Sequence, residues 1–338
     1  MKKFTVARND NFYQAFPDVT LFGQTLYCVF TRTTHHGDRL DSRIMLTTSV
    51  DRGQSWSEPE VLMGEGDHAI EDGYFNCARI SIVNGELAVI ADRVFGGEAK
   101  DMADNYIMFS KDGKKWTKPH NTGCKGIVPD KLLEYKGTVL LSAHRKVDGY
   151  LRQFLWISED GCKTWGDRIT LGSVDGLNLC EVSILPLGDD LVAFMRENSG
   201  LGYDCQKTVS HDGGKTWGKV SCFPLPGCHR PVSGVLNSGN ILITHRFMQG
   251  GKGWVGFWTQ NFFAGLTNKE SALAEERNQC STRIMPIDYD RSAVSDIGYS
   301  GWVQFPDGEI IIIYYIVDDA PKGQIRGCSL HEHEFLIK

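Results

Sequence analysis

Six blocks of one pattern run along this chain: PDVTLFGQTLYCVFTR from Pro17, ARISIVNGELAVIADR from Ala78, PDKLLEYKGTVLLSAHR from Pro129, EVSILPLGDDLVAFMR from Glu181, PVSGVLNSGNILITHR from Pro231 and SGWVQFPDGEIIIIYY from Ser300. Each is an apolar strand, a short glycine-bearing turn and a second strand rich in β-branched residues, which is the signal for a hairpin. The turn glycines Gly23, Gly85, Gly137, Gly188, Gly239 and Gly308 are 62, 52, 51, 51 and 69 residues apart. About 50 residues is room for one four-stranded propeller blade. The repeat therefore predicts an all-β fold, a six-bladed β-propeller with four antiparallel strands per blade, formed by residues 1–338 as a single domain.

A second repeat follows the hairpin in the first four blocks: SVDRGQSW (49–56), SKDGKKW (110–116), SEDGCKTW (158–165) and SHDGGKTW (210–217). Ser and Asp side chains staple the turn backbone, glycine permits positive φ, and Trp buries against the blade. The second copy is one residue short, and the third has Cys162 where the others carry glycine. The fifth block lacks the motif. From about 259 to 295 the strand pattern dissolves, and SALAEERNQ (271–279) reads as a short helix in a loop insertion between blades five and six. The sixth blade must close the ring, with GQIRGCSLHEHEFL and the N-terminal KKFTVAR as its outer strands.

Composition narrows the partners. The net charge of -6 is spread without basic blocks, which argues against nucleic acid or an anionic membrane surface. The sequence as written shows no signal-peptide core and no stretch approaching 18 apolar residues, so a cytoplasmic location is expected. Ten scattered cysteines without a Cys-x-x-Cys pair read as reduced thiols. The short histidine runs His35-His36 and His331-Glu332-His333 read as solvated rather than metal-binding, and no cofactor motif is present.

In an antiparallel hairpin the start of the first strand lies beside the end of the second. The six blocks thus pair Asp18 with Arg32, Arg79 with Arg93, Asp130 with Arg145, Glu181 with Arg196, Arg230 with Arg246, and Tyr299 with Tyr314 or Tyr315. Polar residues at six equivalent corners predict one polar mouth. The Asp-bearing turns, one strand further on, fall on the opposite face.

The octapeptides look like Asp boxes, and with them the chain resembles the sialidase superfamily over essentially its whole length. That resemblance implies a six-bladed propeller and retaining glycosidase chemistry, with a Tyr nucleophile paired with Glu, an Asp acid/base on a blade-one loop, and three arginines on a sugar carboxylate. Carried over, Tyr299 in DIGYSGW matches the nucleophile, Glu181 in LCEVSIL its partner, and Arg196 the arginine ending the second strand of blade four. Asp38 in TTHHGDRLDSR fits the acid/base best, with Asp41 and His36 as alternatives. The third clamp arginine is Arg230 or Arg246, and Arg79 is a geometric substitute. One departure stands out. Where sialidases open blade one with Arg-Ile-Pro, this chain has Ala15-Phe16-Pro17 followed by Asp18, so the first arginine is missing and an Asp there would repel a carboxylate.

The leading expectation is a sialidase-like exo-glycoside hydrolase on a terminal, acidic or neutral, sugar. Its site would be drawn from Tyr299, Glu181 and Asp38, with Arg196, Arg230, Arg246, Arg79, Asp18, Asp130, His36 and Tyr315 binding a carbohydrate substrate. Two alternatives keep the same mouth: an inverting hydrolase or polysaccharide lyase, and a non-catalytic glycan-binding propeller.

Overall fold

The computed structural model describes residues 1–38, 41–70, 73–94, 103–248 and 260–336. Within them lie six antiparallel sheets of four strands each, a six-bladed β-propeller. Blade one runs Tyr13–Phe22, Thr25–Thr33, Arg43–Ser49 and Glu60–Met63, and blades two to five repeat that order outward from the axis. Blade six takes its inner three strands from Ile297–Gln304, Glu309–Ile316 and Gln324–His331, and its outermost from Lys2–Ala7. The N-terminal strand pairs antiparallel with the third strand of that blade, Lys2 opposite Ser329 and Ala7 opposite Ile325, and so closes the ring. Alternation accounts for the packing: apolar clusters of inward residues fill the wedges between blades, such as Val29, Ile44, Ala78, Ile80 and Val89 between blades one and two.

The boxes are turns between third and fourth strands, on the face away from the ends of the second strands. In the first, Ser49 Oγ donates to Asp51 Oδ1 (2.8 Å) and accepts from Gly53 N (2.8 Å), and Ser55 N donates to Asp51 Oδ1 (2.9 Å). These donors, first of them the Ser55 hydroxyl, hold the Asp51 carboxyl at about 2. The indole N–H closes the motif onto its glycine carbonyl in two boxes, Trp56 to Gly53 at 3.2 Å and Trp217 to Gly214 at 3.0 Å. In the shortened second box and the third, where Cys162 takes that glycine's place at φ 71°, Trp116 Nε1 and Trp165 Nε1 are buried without a partner.

The stretch expected as an insertion supplies the two outer strands of blade five, Gln260–Thr267 and Arg283–Tyr289. A one-turn helix, Lys269–Leu273, joins them where blades one to four carry a box, and begins earlier than the sequence suggested. Asn268 caps it by accepting from Ser271 N at 2.9 Å. Buried Lys207 of blade four donates to Ala272 O at 2.8 Å, so the helix end is held by a neighbouring blade instead of by an Asp staple. No disulfide is formed among the described residues. No described helix is long and apolar enough to cross a membrane.

Candidate active site

Each blade carries one non-glycine residue in the left-handed region at the start of its inner chain: Phe16 (φ 58°), Cys77 (45°), Val128 (52°), Glu181 (46°), Arg230 (50°) and Tyr299 (34°). In five blades the ladder slips at that residue, between Ala15 and Asp18, Asn76 and Arg79, Cys180 and Val182, His229 and Val232, and Gly298 and Ser300. In blade three Val128 follows the isolated bridge from Ile127 to His144. A bulge of this kind re-aims a side chain out of the strand's alternation. Here six are re-aimed to one place. Phe16, Cys77 and Tyr299 share one buried cluster with Val128 packed against it, Glu181 bonds to Tyr299, and the Arg230 guanidinium sits 5.9 Å over the Tyr299 ring.

The residues opposite the position before each bulge form a second tier: Thr31, Asp92, His144, Arg196, Arg246 and Tyr315. Together the tiers divide the mouth. Blades four to six contribute Glu181, three arginines and two tyrosines, blade two Cys77 and Asp92, and blades one and three Phe16, Val128 and His144.

The phenol of Tyr299 donates to Glu181 Oε1 in a short hydrogen bond. Arg196 Nη1 donates to the same oxygen at 2.8 Å and lies 3.5 Å from the phenol oxygen. Arg196 is oriented from behind by Asn198 Oδ1. The Arg246 guanidinium stands 5.2 Å over the Tyr299 ring, fixed by Gln260 Oε1 (3.3 Å), Tyr315 Oη (3.4 Å) and His229 Nδ1 (3.3 Å). Burial by itself would raise the Glu181 carboxyl, yet the Arg196 and Arg246 charges and the Tyr299 hydroxyl outweigh it and hold the group at about 2. Burial, then the Glu181 charge, pushes the Tyr299 phenol well above its ordinary value. At neutral pH the pair is a carboxylate and a neutral phenol. Burial and the neighbouring guanidiniums hold His229 far below its usual range, and burial brings His144 to about 4, so both imidazoles are neutral.

Beside this pair lies a group the sequence did not single out. Asp296 accepts from the hydroxyls of Tyr13 and Tyr315 (the latter at 2.6 Å), lies 2.6 Å from His36 Nδ1, and is 3.8 Å from Arg246. Burial would raise its carboxyl, but the His36 contact and the Arg246 charge lower it. The Phe16 ring is shared ground, 5.0 Å from Tyr299, 5.4 Å from Tyr315 and 5.2 Å from the His36 imidazole. Asp38, in the same blade-one loop, accepts from Thr34 Oγ1 at 2.5 Å while its own N–H donates to His35 O.

Asp18, Arg79 and Asp130 occupy a different level. Each lies two residues past its bulge, whereas Glu181, Arg230 and Tyr299 lie at theirs, so the ring of corners drawn from the sequence is out of register in blades one to three. Ile80 N–H donates to Asp18 Oδ2 at 2.9 Å, and Ile184 N–H donates to Asp130 Oδ2 at 3.1 Å. Ser233 N–H does the same to Ser183 Oγ at 3.0 Å, which makes this a repeated staple from one blade to the next. Asp18 is fully buried against Lys131 Nζ (2.9 Å) and Arg79 Nε (3.4 Å), so it offers no repelling carboxylate to the mouth. Arg79 donates across to the carbonyls of Ser300 (3.0 Å) and Pro17 (3.3 Å), and Arg230 to those of Pro129 (2.7 Å) and Val128 (3.4 Å). The missing first arginine corresponds to Ala15, which is wholly buried. Asp296, Tyr13, Phe16 and His229 went unread because their signal is three-dimensional.

The BNR repeat-like domain family matches residues 24–249. No curated protein matches the chain significantly in sequence. Among solved structures, a Dyadobacter fermentans protein of unknown function is similar over 98% of both chains, with a TM-score of 0.78 and 19% identity. The Hadza microbial sialidase Hz136 is similar over 96% of this chain and 66% of its own, with a TM-score of 0.73 and 15% identity. The NanB sialidase from Streptococcus pneumoniae is similar over 99% of this chain and 70% of its own, at 0.67 and 13%. At such identities the likeness is one of fold. The family match spans more than half of the sequence and runs through four boxes and the inner hairpins of blades two to five, and the chain belongs to the BNR repeat-like domain family.

Proposed function

We propose that this propeller is an exo-acting glycoside hydrolase with Tyr299 as nucleophile and Glu181 as its base. The carrying observation is the hydrogen bond from the Tyr299 phenol to the Glu181 carboxylate under the Arg196 guanidinium. A phenol with a raised pKa is a poor nucleophile until its proton is taken, and Glu181 is ionised and in contact to accept it as the sugar carbon becomes cationic. Four buried polar atoms around the phenol make no hydrogen bond: Glu181 Oε2 and the Nε atoms of Arg196, Arg230 and Arg246. Such atoms cost about 1–3 kcal/mol each unless partnered, and a polyhydroxylated ligand is a natural partner.

Three guanidiniums against the Glu181 and Asp296 carboxylates favour a terminal sugar bearing an anionic group. Arg246 and Arg196 offer the grip, with the aromatic wall of Phe16 next to Ala15, the position where the resemblance to sialidases implies the first arginine. Similarity to solved sialidases supports a carbohydrate substrate. The test is hydrolysis of fluorogenic glycosides, among them a sialoside, a uronide and neutral pyranosides, by wild type, Glu181→Gln and Tyr299→Phe. One glycoside should be turned over, and Glu181→Gln should lower that turnover by about 10²-fold or more. Binding of a glycan without turnover, unchanged in Glu181→Gln, would instead make the mouth a recognition site.

A further inference from the structure

We infer that the proton donor to the leaving group is His36, positioned by Asp296, and not a carboxylic acid of the blade-one loop; the inference rests on the hydrolase reading above. Three candidates share that loop, of which Asp41 is exposed and paired with Arg43 Nη1 at 3.3 Å. The Asp38 carboxylate is tied down within it, accepting from the Thr34 hydroxyl at 2.5 Å, and its backbone N–H and C=O are engaged by His35 O and Thr33 Oγ1. His36 is turned the other way. Its Nδ1 is 2.6 Å from Asp296 Oδ2, and its side chain is 48% exposed. No described residue is bonded to its Nε2.

The carboxylate behind it is held firmly. Asp296 takes hydroxyls from Tyr13 and Tyr315, its N–H donates to Asp290 Oδ2 at 2.8 Å, and its carbonyl accepts from Val317 N at 3.2 Å. A carboxylate on Nδ1 fixes the proton there and leaves Nε2 as the atom that gives and takes protons. The imidazole edge meets Tyr13 at 6.0 Å and Phe16 at 5.2 Å, and Phe16 in turn is 5.0 Å from Tyr299. A sugar lying on Phe16 therefore has the phenol on one side and the imidazole on the other.

The steps balance. As the Tyr299 oxygen bonds to the anomeric carbon and the glycosidic bond breaks, the phenol proton passes to Glu181 and the Nε2 proton of His36 to the departing oxygen. Water then attacks the same carbon, gives its proton to His36 Nε2, and Tyr299 leaves with the proton held by Glu181. Asp296 is a positioning residue throughout.

Leaving groups that need no protonation separate the candidates. Turnover of an alkyl glycoside and of the 2,4-dinitrophenyl glycoside of the same sugar is measured for wild type, His36→Ala, Asp38→Asn and Asp296→Asn, each checked for folding by circular dichroism. In kcat/KM, which reports the first step, His36→Ala should lose about 10²-fold or more on the alkyl glycoside and less than about tenfold on the dinitrophenyl one, with added imidazole restoring part of the loss. Asp296→Asn should show the same split in weaker form, and Asp38→Asn should lose less than about tenfold on both. The split and rescue appearing with Asp38→Asn in place of His36→Ala would overturn the assignment while leaving the Tyr299 and Glu181 chemistry standing. Wild type that cleaves neither glycoside of any sugar would remove the hydrolase reading, and this proposal with it.

Discussion

Arg196 Nη1 touches Glu181 Oε1 at 2.8 Å in a setting where both side chains are almost wholly buried. The carboxyl stands at about 2 in the folded protein against an ordinary 4.5, because the guanidiniums and the Tyr299 hydroxyl outweigh burial. A lowered folded value stabilises the native state above the unfolded value and loses that contribution as pH falls through the folded one. The expected outcome is a thermal-midpoint advantage of wild type over Glu181→Gln that is full at about pH 6 and shrinks between about pH 4.5 and 2. A gap that does not change over that range would contradict the pairing.

Asp18→Asn tests the inter-blade staple. The change leaves an acceptor for Ile80 N but removes the anion between Arg79 and Lys131. Breaking a buried pair on one side costs about 3–5 kcal/mol. Urea unfolding should show a loss of that order, far more than for Asp10→Asn, whose carboxylate is exposed and paired with Arg8 at the surface.

Val128 is the one β-branched residue of the bulge ring, at φ 52°. Left-handed backbone costs a residue of this type about 1–3 kcal/mol, and glycine adopts it freely. Val128→Gly should therefore lie within about 1 kcal/mol of wild type, since relief of strain offsets the lost side chain. Val29→Gly, in a regular and fully buried strand position, should cost several times as much in the same denaturation experiment.

Removal of residues 1–8 should open the ring. The strand Lys2–Ala7 covers the edge of Gln324–His331, and Lys3 reaches the Asp288 carboxylate. Without it a row of backbone donors and acceptors faces solvent. A lower thermal midpoint and concentration-dependent light scattering are expected, and unchanged values for both would refute the closure role.

What the sequence displayed and what it hid divide along one physical line. Hairpins and boxes are local and repeat with fixed chemistry, so PDVTLFGQTLYCVFTR and its five relatives were readable as blades. The bulges were not readable, because an extra residue in a strand leaves the apolar alternation on either side intact. That single-residue slip is why Asp18, Arg79 and Asp130 were drawn beside Glu181 when they lie two residues deeper. The strands Gln260–Thr267 and Arg283–Tyr289 were lost for another reason: a helix replaces the box that marked the same turn elsewhere. Asp296 faces His36 from the far end of the chain, a pairing that only the closed ring creates.

Arg79 and Arg230 span the propeller axis to the carbonyls of other blades, and Asp18 and Asp130 are buried around them. A ring of blades would otherwise be a tunnel. With these side chains bridging the middle, blades far apart along the chain share hydrogen bonds, so none can loosen alone.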